Sequence, residues 1–385
     1  MTHPPLRLGF ACSWWHPREP TWSYTPAALQ RALADHDSLT VTSIDAQLSL
    51  AGKAALKLAY RYSDNAWKEG RLNRWHTQRK ILRATLRTNS DVVLAMSSTE
   101  PVLPVPTFFY QDMGYCVVRS HKNRSVHHSA NLGAVAAARL DVLAAEELAS
   151  YAACTGVFTM STWFARWLTD TVGLAPDKVH AVGGGINALP VGGRAPSSGG
   201  PKQRLLFVGQ DFFRKGGDLV VDAVAGLRQS GSGDYRLTVA GPTSWPLEGS
   251  PPDWVDFQGS ISPSAVGRLW TEHDVFVLPS RFEAYGLTFL EARASGLPCI
   301  GRDTFAMPEL IPDGAGALVG DHADADEVAA AIHSVSTNEA LFDRVAHDAE
   351  AVARDNSWQA VAGRILEVIR PSVARPNSRT SGALD

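Results

Sequence analysis

Short apolar runs bounded by glycine, proline and aromatic residues recur along the whole chain, and stretches of helical period lie between them. Such runs read as buried strands, whereas apolar residues three and four positions apart read as helices packed on a core. In the first half, strands are expected at Leu6–Cys12, Thr40–Ile44, Asp91–Met96, Thr107–Tyr110, Gly156–Met160 and Val179–Val182. Helices are expected over Thr25–Ala34, Gly52–Arg87 and Ala134–Ala153, and after Ser161, with Thr25 and Ser161 as N-caps. Strand and helix alternate, which is the pattern of a doubly wound α/β domain.

Residues 188–203 have no periodicity and are rich in proline, glycine and serine, so they read as a linker. The alternation then restarts. Strands are expected at Arg204–Val208, Tyr235–Ala240, Val255–Gln258, Asp274–Leu278, Pro298–Gly301 and Gly316–Val319. Helices are expected over Asp218–Arg228, from Ser262-Pro263 to Trp270, from Leu287 to the stop at Gly296 and Pro298, and from Asp324 to near Ile369. Trp358–Arg370 is amphipathic, and the polar tail after Pro371 is expected to be disordered.

At 385 residues the chain is long enough for two such domains, and 45% hydrophobic with 19% charged residues describes a globular protein with an ample core. A formal net charge of −3 argues against bulk nucleic-acid binding. Cys12, Cys116, Cys154 and Cys299 are far apart and show no metal-ligand spacing, so free buried thiols, a cytoplasmic location and no metal are expected. No apolar run reaches bilayer-spanning length, and the amino terminus lacks a signal-peptide layout.

The chemistry concentrates in SRFEAYGLTFLEARASGLP, residues 280–298. Glu283 falls in a loop and Glu291 on the helix beyond it, with the backbone amides of Tyr285, Gly286, Leu287 and Thr288 between them. A helix N-terminus preceded by glycine is an anion site, and carboxylates on either side of it could take the hydroxyls of a sugar nucleotide. Two glutamates eight residues apart also arise by chance, so the context decides. Gly209 and Gln210, after the first strand of the second half, lead to the adjacent cations Arg214 and Lys215, either of which could neutralise a phosphate.

The first half offers a loop dense in aromatics, with Trp14, Trp15, Trp22 and Tyr24, whose rings either stack on a sugar or aglycone or plug the core. Gln111 and Asp112 stand at the carboxyl end of a strand, where ligands bind in such sheets, although Asp112 could instead cap the next turn. Between Arg61 and Arg87 eight Lys/Arg face two acidic residues, with Arg79, Arg83 and Arg87 at helical spacing. That stripe is a solvated face, a site for an anionic acceptor, or a weak contact with anionic lipid heads.

With these elements in order, the second half resembles the retaining glycosyltransferases of the GT-B fold, family 4. The resemblance is carried by residues 207–218, 255–262, 273–301, 308–319 and 356–358, and above all by the Glu283-x7-Glu291 spacing. It implies an α/β fold of two Rossmann-like, doubly wound domains facing a cleft. Residues 1–187 would be the acceptor domain, 188–203 the linker, 204–355 the donor domain, 356–371 a helix returning to the first domain, and 372–385 the tail. The resemblance also implies a metal-independent transfer of a sugar from a nucleoside diphosphate, UDP- or GDP-linked, with no cofactor. Glu283 would meet the donor sugar and Glu291 the ribose. Lys215, Arg214 and the amides near Gly286, Leu287 and Thr288 would hold the diphosphate. Asp112 would serve the chemistry, and Trp14, Trp15, Trp22, Tyr24 and Gln111 would form the acceptor side.

The sequence departs from the family pattern in three places. The aromatic loop replaces a Gly-Gly loop, Gln111 replaces a histidine, and Gly209-Gln210 replaces Gly-Arg. A small-molecule acceptor, of the kind modified in secondary metabolism, is favoured. A lipid-linked or cell-envelope acceptor, a sugar-nucleotide epimerase, and a non-catalytic sugar-nucleotide-binding partner are the alternatives.

Overall fold

The computed structural model describes residues 4–14, 17–47, 71–96, 103–121, 137–188 and 202–374, with isolated positions between 51 and 58. Trp15, most of the 188–203 linker, part of the basic stripe and the tail beyond Ala374 lie outside the described residues. Two six-stranded parallel sheets organise the chain. The first contains β1 (Leu6–Cys12), β2 (Leu39–Asp45), β3 (Val92–Ala95), β4 (Thr107–Gln111), β5 (Gly156–Thr159) and β6 (Val179–Ala181), in the order β2-β1-β3-β4-β5-β6. The second contains β7 (Arg204–Val208), β8 (Arg236–Ala240), β9 (Val255–Gly259), β10 (Val275–Val277), β11 (Cys299–Arg302) and β12 (Gly316–Val319), in the order β12-β11-β10-β7-β8-β9.

The described helices of the first half are α1 (Thr25–Ala34), α2 (Arg71–Thr88), α3 (Tyr115–Ser120), α4 (Ala137–Ala153) and α5 (Thr162–Arg166), the last running on into a wider turn at Trp167–Thr171. Those of the second are α6 (Gly217–Gln229), α7 (Pro263–Glu272), α8 (Leu287–Ala294), α9 (Met307–Leu310), α10 (Ala325–Ser336), α11 (Glu339–Asp355) and α12 (Trp358–Ala374). Phe108, Phe109 and Phe158 fill the first sheet's faces, and Leu205, Leu206, Phe207 and Phe276 fill the second's. Side chains of this size contribute about 1.5–3 kcal/mol each when fully buried.

Strand order fixes where ligands can bind. In each sheet the order reverses beside the first strand, between β1 and β3 and between β7 and β10. The crevice of a doubly wound sheet opens at the carboxyl ends of such strands. The loops after β7 and β10 therefore meet at one crevice, and the loop after β1 overlooks the other.

Helix α12 crosses back to the first half. Arg364 Nε donates to the Val182 carbonyl at 2.7 Å, Arg370 to Ser38 Oγ at 2.6 Å, and Trp358 Nε1 to Asn187 Oδ1 at 2.8 Å. The Trp358 ring lies flat against Gly185, where a Cβ would have no room.

Three sequence expectations are corrected here. Thr25 is not a cap: it begins α1, and the capping position is Tyr24 in a left-handed conformation (φ 68°) without a side-chain bond. Pro371 does not end the last helix, which continues to Ala374. So close to the terminus, the hydrogen bond a proline removes is one of few left to lose. Trp14 is 1% exposed and stacks on Phe10, so its indole is core and cannot line an acceptor site. The four cysteines are buried and form no disulfide.

Candidate active site

Gly286 sets the geometry of the site. Its φ of 101° belongs to the left-handed region, and from it the chain turns directly into α8. The first amides of α8, including those of Leu287 and Thr288, have no intrahelical acceptor and present partial positive charge to the crevice between β7 and β10. Thr288 Oγ1 is buried there with no hydrogen-bond partner among the described residues. In the sequence this hydroxyl is not separable from that of any other helical threonine.

Opposite stands the loop after β7. Lys215 packs its aliphatic stem over Gly209 and places Nζ 2.9 Å from Glu283 Oε2. Ser280 Oγ donates to the same oxygen at 3.2 Å. Arg214 Nη1 is 4.0 Å from it, held by the Phe282 carbonyl at 2.8 Å, while Arg214 Nε binds Asp211 at 3.0 Å. Burial pushes the Glu283 carboxyl up, but Lys215 first, then Arg214 and the hydrogen bonds, outweigh it and hold the group below its ordinary range. Glu283 is therefore an anion near neutrality, fixed between two cations. Gln210 is exposed at the edge of the loop.

Glu291 lies one helix length away and behaves differently. It is 6% exposed, and its Oε1 accepts from the backbone amides of Asn187 and Ala188 at 3.3 and 3.2 Å. No cation offsets its burial, which pushes it up to about 7 despite those two bonds. The bond to the crossing segment, more than a hundred residues upstream, had no signal in the sequence. Tyr285 is likewise committed, its hydroxyl accepting from Gly184 N at 3.3 Å and pushed up to about 12 by burial. Its side chain is thus an interdomain contact, and its backbone amide is what remains for a ligand.

On the facing wall, Trp22 Nε1 donates to Asp112 Oδ2 at 3.3 Å. Asp112 keeps a partial opening to solvent but is walled by protein, which raises its carboxyl to about 6. The Trp22 bond pulls the other way, and nearby Glu283 adds a further upward push. Asp112 does not cap α3, whose capping position is Gly114. Gln111 is 5% exposed, its Nε2 without a hydrogen-bond partner among the described residues, and Tyr24 is half-buried beside Trp22. The crevices of the two domains thus meet, with Asp112 and Trp22 on one side and Glu283, Lys215 and the head of α8 on the other. Across the same gap, Glu309 accepts from the amides of Thr162 and Trp163 at 2.8 and 2.9 Å. Among the described residues no group of three or more His, Cys, Asp or Glu is arranged to hold a metal ion, and no helix is long and apolar enough to cross a membrane.

Residues 195–369 match the family model for Glycosyl transferases group 1. The chain is 29% identical over 217 residues to a glycogen synthase of Mycobacterium tuberculosis, covering 52% of this chain and 50% of that protein. It is 27% identical over 236 residues to a phosphatidyl-myo-inositol mannosyltransferase of Mycobacterium leprae, covering 59% and 62%. The matched region thus spans only about half to three-fifths of either relative. In three dimensions the chain is similar to a sucrose-phosphate synthase of Thermosynechococcus elongatus, with a TM-score of 0.70 at 18% identity over 96% of this chain and 99% of that one. It is also similar to WaaG, a glycosyltransferase involved in lipopolysaccharide biosynthesis, with a TM-score of 0.64 at 16% identity over 94% and 99%. The likeness covers both sheets and establishes the two-domain GT-B fold.

Proposed function

Because the carboxyl-terminal half of the chain belongs to the glycosyl transferases group 1 family, we propose that the protein transfers a sugar, with retention, from a nucleoside diphosphate sugar to an acceptor hydroxyl. The observation that carries this reading is the pairing of Lys215 with Glu283 at the head of α8. A diphosphate seated on the amides of Leu287 and Thr288 would meet Lys215 and Arg214, whose fixed charge stabilises the leaving group as the glycosidic bond breaks. Glu283, already ionised, would accept from the donor sugar's hydroxyls. Glu291 would take the ribose on the carboxylate oxygen that its two backbone donors leave open. Asp112 would face the acceptor, with Trp22, Tyr24 and Gln111 around it.

The acceptor we favour is a small molecule, because the aromatic turn beside Asp112 offers ring faces to an aglycone. A lipid-linked acceptor is the second reading. It is supported by α2, where Arg79, Arg83 and Arg87 run beside exposed Trp75 and Leu86, and by the likeness to the mycobacterial phosphatidyl-myo-inositol mannosyltransferase. The test is a thermal-shift panel of UDP-, GDP- and ADP-sugars, followed by turnover of the stabilising donor with and without candidate acceptors. Stabilisation with turnover that Lys215→Ala and Glu283→Ala strongly reduce supports the reading. Turnover untouched by either substitution refutes the site. Conversion of the donor to an epimer without an acceptor, or binding with no turnover at all, favours the epimerase or the non-catalytic alternative.

A further inference from the structure

Asn187 sits where the chain crosses from the first domain to the second, and three of its polar groups reach three different parts of the molecule. Its backbone N–H donates to Glu291 Oε1 at 3.3 Å, its Oδ1 accepts from Trp358 Nε1 at 2.8 Å, and its Nδ2 donates to the Ser23 carbonyl at 2.8 Å. The orientation of the amide is fixed by chemistry: an indole N–H can only donate and a carbonyl can only accept. A carboxamide meets both demands with two separate atoms, Oδ1 accepting and Nδ2 donating.

Ser23 is the middle of an unusual turn. Trp22, Ser23 and Tyr24 have φ of 43°, 53° and 68°, three consecutive left-handed residues with no glycine among them. Each such residue costs roughly 1–3 kcal/mol, and the conformation persists only where its surroundings hold it. Within the turn, Thr25 N bonds the Trp22 carbonyl and Ala28 N bonds the Tyr24 carbonyl. From the crossing segment, Asn187 donates to the Ser23 carbonyl. The turn is what aims Trp22 Nε1 at Asp112.

We propose that Asn187 is a positioning residue that holds the left-handed turn at Trp22–Tyr24 against the hinge gripped by Glu291, so that a nucleotide entering the donor site orders the acceptor wall on which Asp112 stands. This rests on the donor-site reading above. The physical link is the carboxylate of Glu291. A ribose hydroxyl donating to its open oxygen favours the ionised form, and bonds to an ionised acceptor are shorter and stronger than bonds to a neutral one. The amides of Asn187 and Ala188 are then held more tightly, and the side chain of Asn187 carries that order to Ser23. By linkage, the ordered turn strengthens nucleotide binding by the same factor.

The experiment is hydrogen exchange on the intact chain, wild type against Asn187→Ala and Asn187→Asp, each with and without saturating UDP or GDP. Asp keeps an acceptor for Trp358 and replaces the donor to Ser23 with a carboxylate oxygen that repels that carbonyl, so it serves where Ala disturbs the fold. Exchange at the central strands of both sheets reports folding. The inference predicts that the amides of Thr25 and Ala28 exchange at least about ten-fold faster in the variants while those strands stay protected. It also predicts that the nucleotide slows the two amides in wild type but not in the variants, although a thermal shift shows that the variants still bind it. Unchanged exchange at Thr25 and Ala28, or a nucleotide effect that survives without Asn187, overturns the role of Asn187 and leaves the donor site standing. A wild type that binds none of UDP, GDP and ADP overturns the donor site, and the coupling falls with it.

Discussion

Lys215 Nζ lies 2.9 Å from Glu283 Oε2, joining two loops 68 positions apart in the chain at the point where the second sheet reverses its strand order. Both side chains are largely buried, so the pair is set in a medium where its charges act strongly on anything that enters. Lys215→Ala removes the nearest cation from a buried carboxylate. It is expected to lower turnover by about 10²–10³-fold, as for loss of a preorganised electrostatic donor. Breaking a buried pair costs roughly 3–5 kcal/mol. Arg214 at 4.0 Å should keep the loss toward the lower end. Denaturant titration and donor turnover measure the two effects separately.

The pH dependence of that pair has a definite sign. The Glu283 carboxyl titrates lower in the folded protein than in the unfolded chain, so its contribution to stability is fully present above the unfolded value. It is lost as pH falls through the depressed folded value. In Glu283→Gln, stability measured between pH 6 and pH 3 should fall less steeply than in wild type, and equal slopes would remove the ion pair from the account.

Glu291 carries the opposite sign. Its carboxyl is raised to about 7 in the folded state, so folding binds a proton that the unfolded chain would release. Stability attributable to this group is therefore greatest below the ordinary carboxylate range and declines as pH rises toward 7. Glu291→Gln keeps an oxygen acceptor for the amides of Asn187 and Ala188. It should gain stability over wild type at pH 8 relative to pH 5, by on the order of 2–3 kcal/mol. A pH-independent difference would contradict the unpaired burial of this side chain.

Asp112 is expected to impose an acid limb near pH 6 on kcat/KM, below which its carboxyl is protonated. Trp22→Phe deletes the N–H that favours the ionised form, so the limb should move to higher pH while the nucleotide-induced thermal shift stays unchanged. An unmoved limb would detach Asp112 from the chemistry.

Gly185 lies under the ring of Trp358, and a methyl group there has nowhere to go. Gly185→Ala should destabilise by about 1–3 kcal/mol, the usual cost of overpacking. The loss should appear as a lower Tm with faster exchange in α12, and an unchanged Tm would mean that the helix docks by other contacts.

The elements were largely legible in the sequence, because each depends on neighbours in the chain, and Lys215, Glu283 and the head of α8 stood out as candidates from their places after β7 and β10. Short apolar runs place the strands within a residue or two and period-3.6 patterns place most of the described helices, although α3 gave no signal and α12 runs past Arg370 to Ala374. Helix α8 begins at Leu287 because Gly286 and the apolar spacing after it say so. What escaped was set by contacts across the fold. Trp14 and Trp22 are both indoles of one aromatic loop, yet Trp14 packs on Phe10 in the core while Trp22 binds Asp112. Tyr24 reads as one ring of an aromatic loop before a Thr-Pro helix start, and its left-handed conformation, next to a Ser23 carbonyl held by Asn187, has no signal in the sequence. Glu291 was legible as a residue on the right helix, but its hold on the hinge was not.

The central claim is that this cleft transfers a sugar with retention from a nucleoside diphosphate, and the most direct test is to follow the anomeric carbon. The donor that stabilises the protein in the thermal-shift panel is incubated with it, and the sugar released or transferred is followed by NMR at early times, alongside the nucleoside diphosphate. The account predicts that sugar and nucleoside diphosphate appear in equal amounts, that the new product keeps the donor's anomeric configuration, and that Lys215→Ala suppresses both. Product of inverted configuration, or no nucleoside diphosphate from any donor that binds, would contradict it.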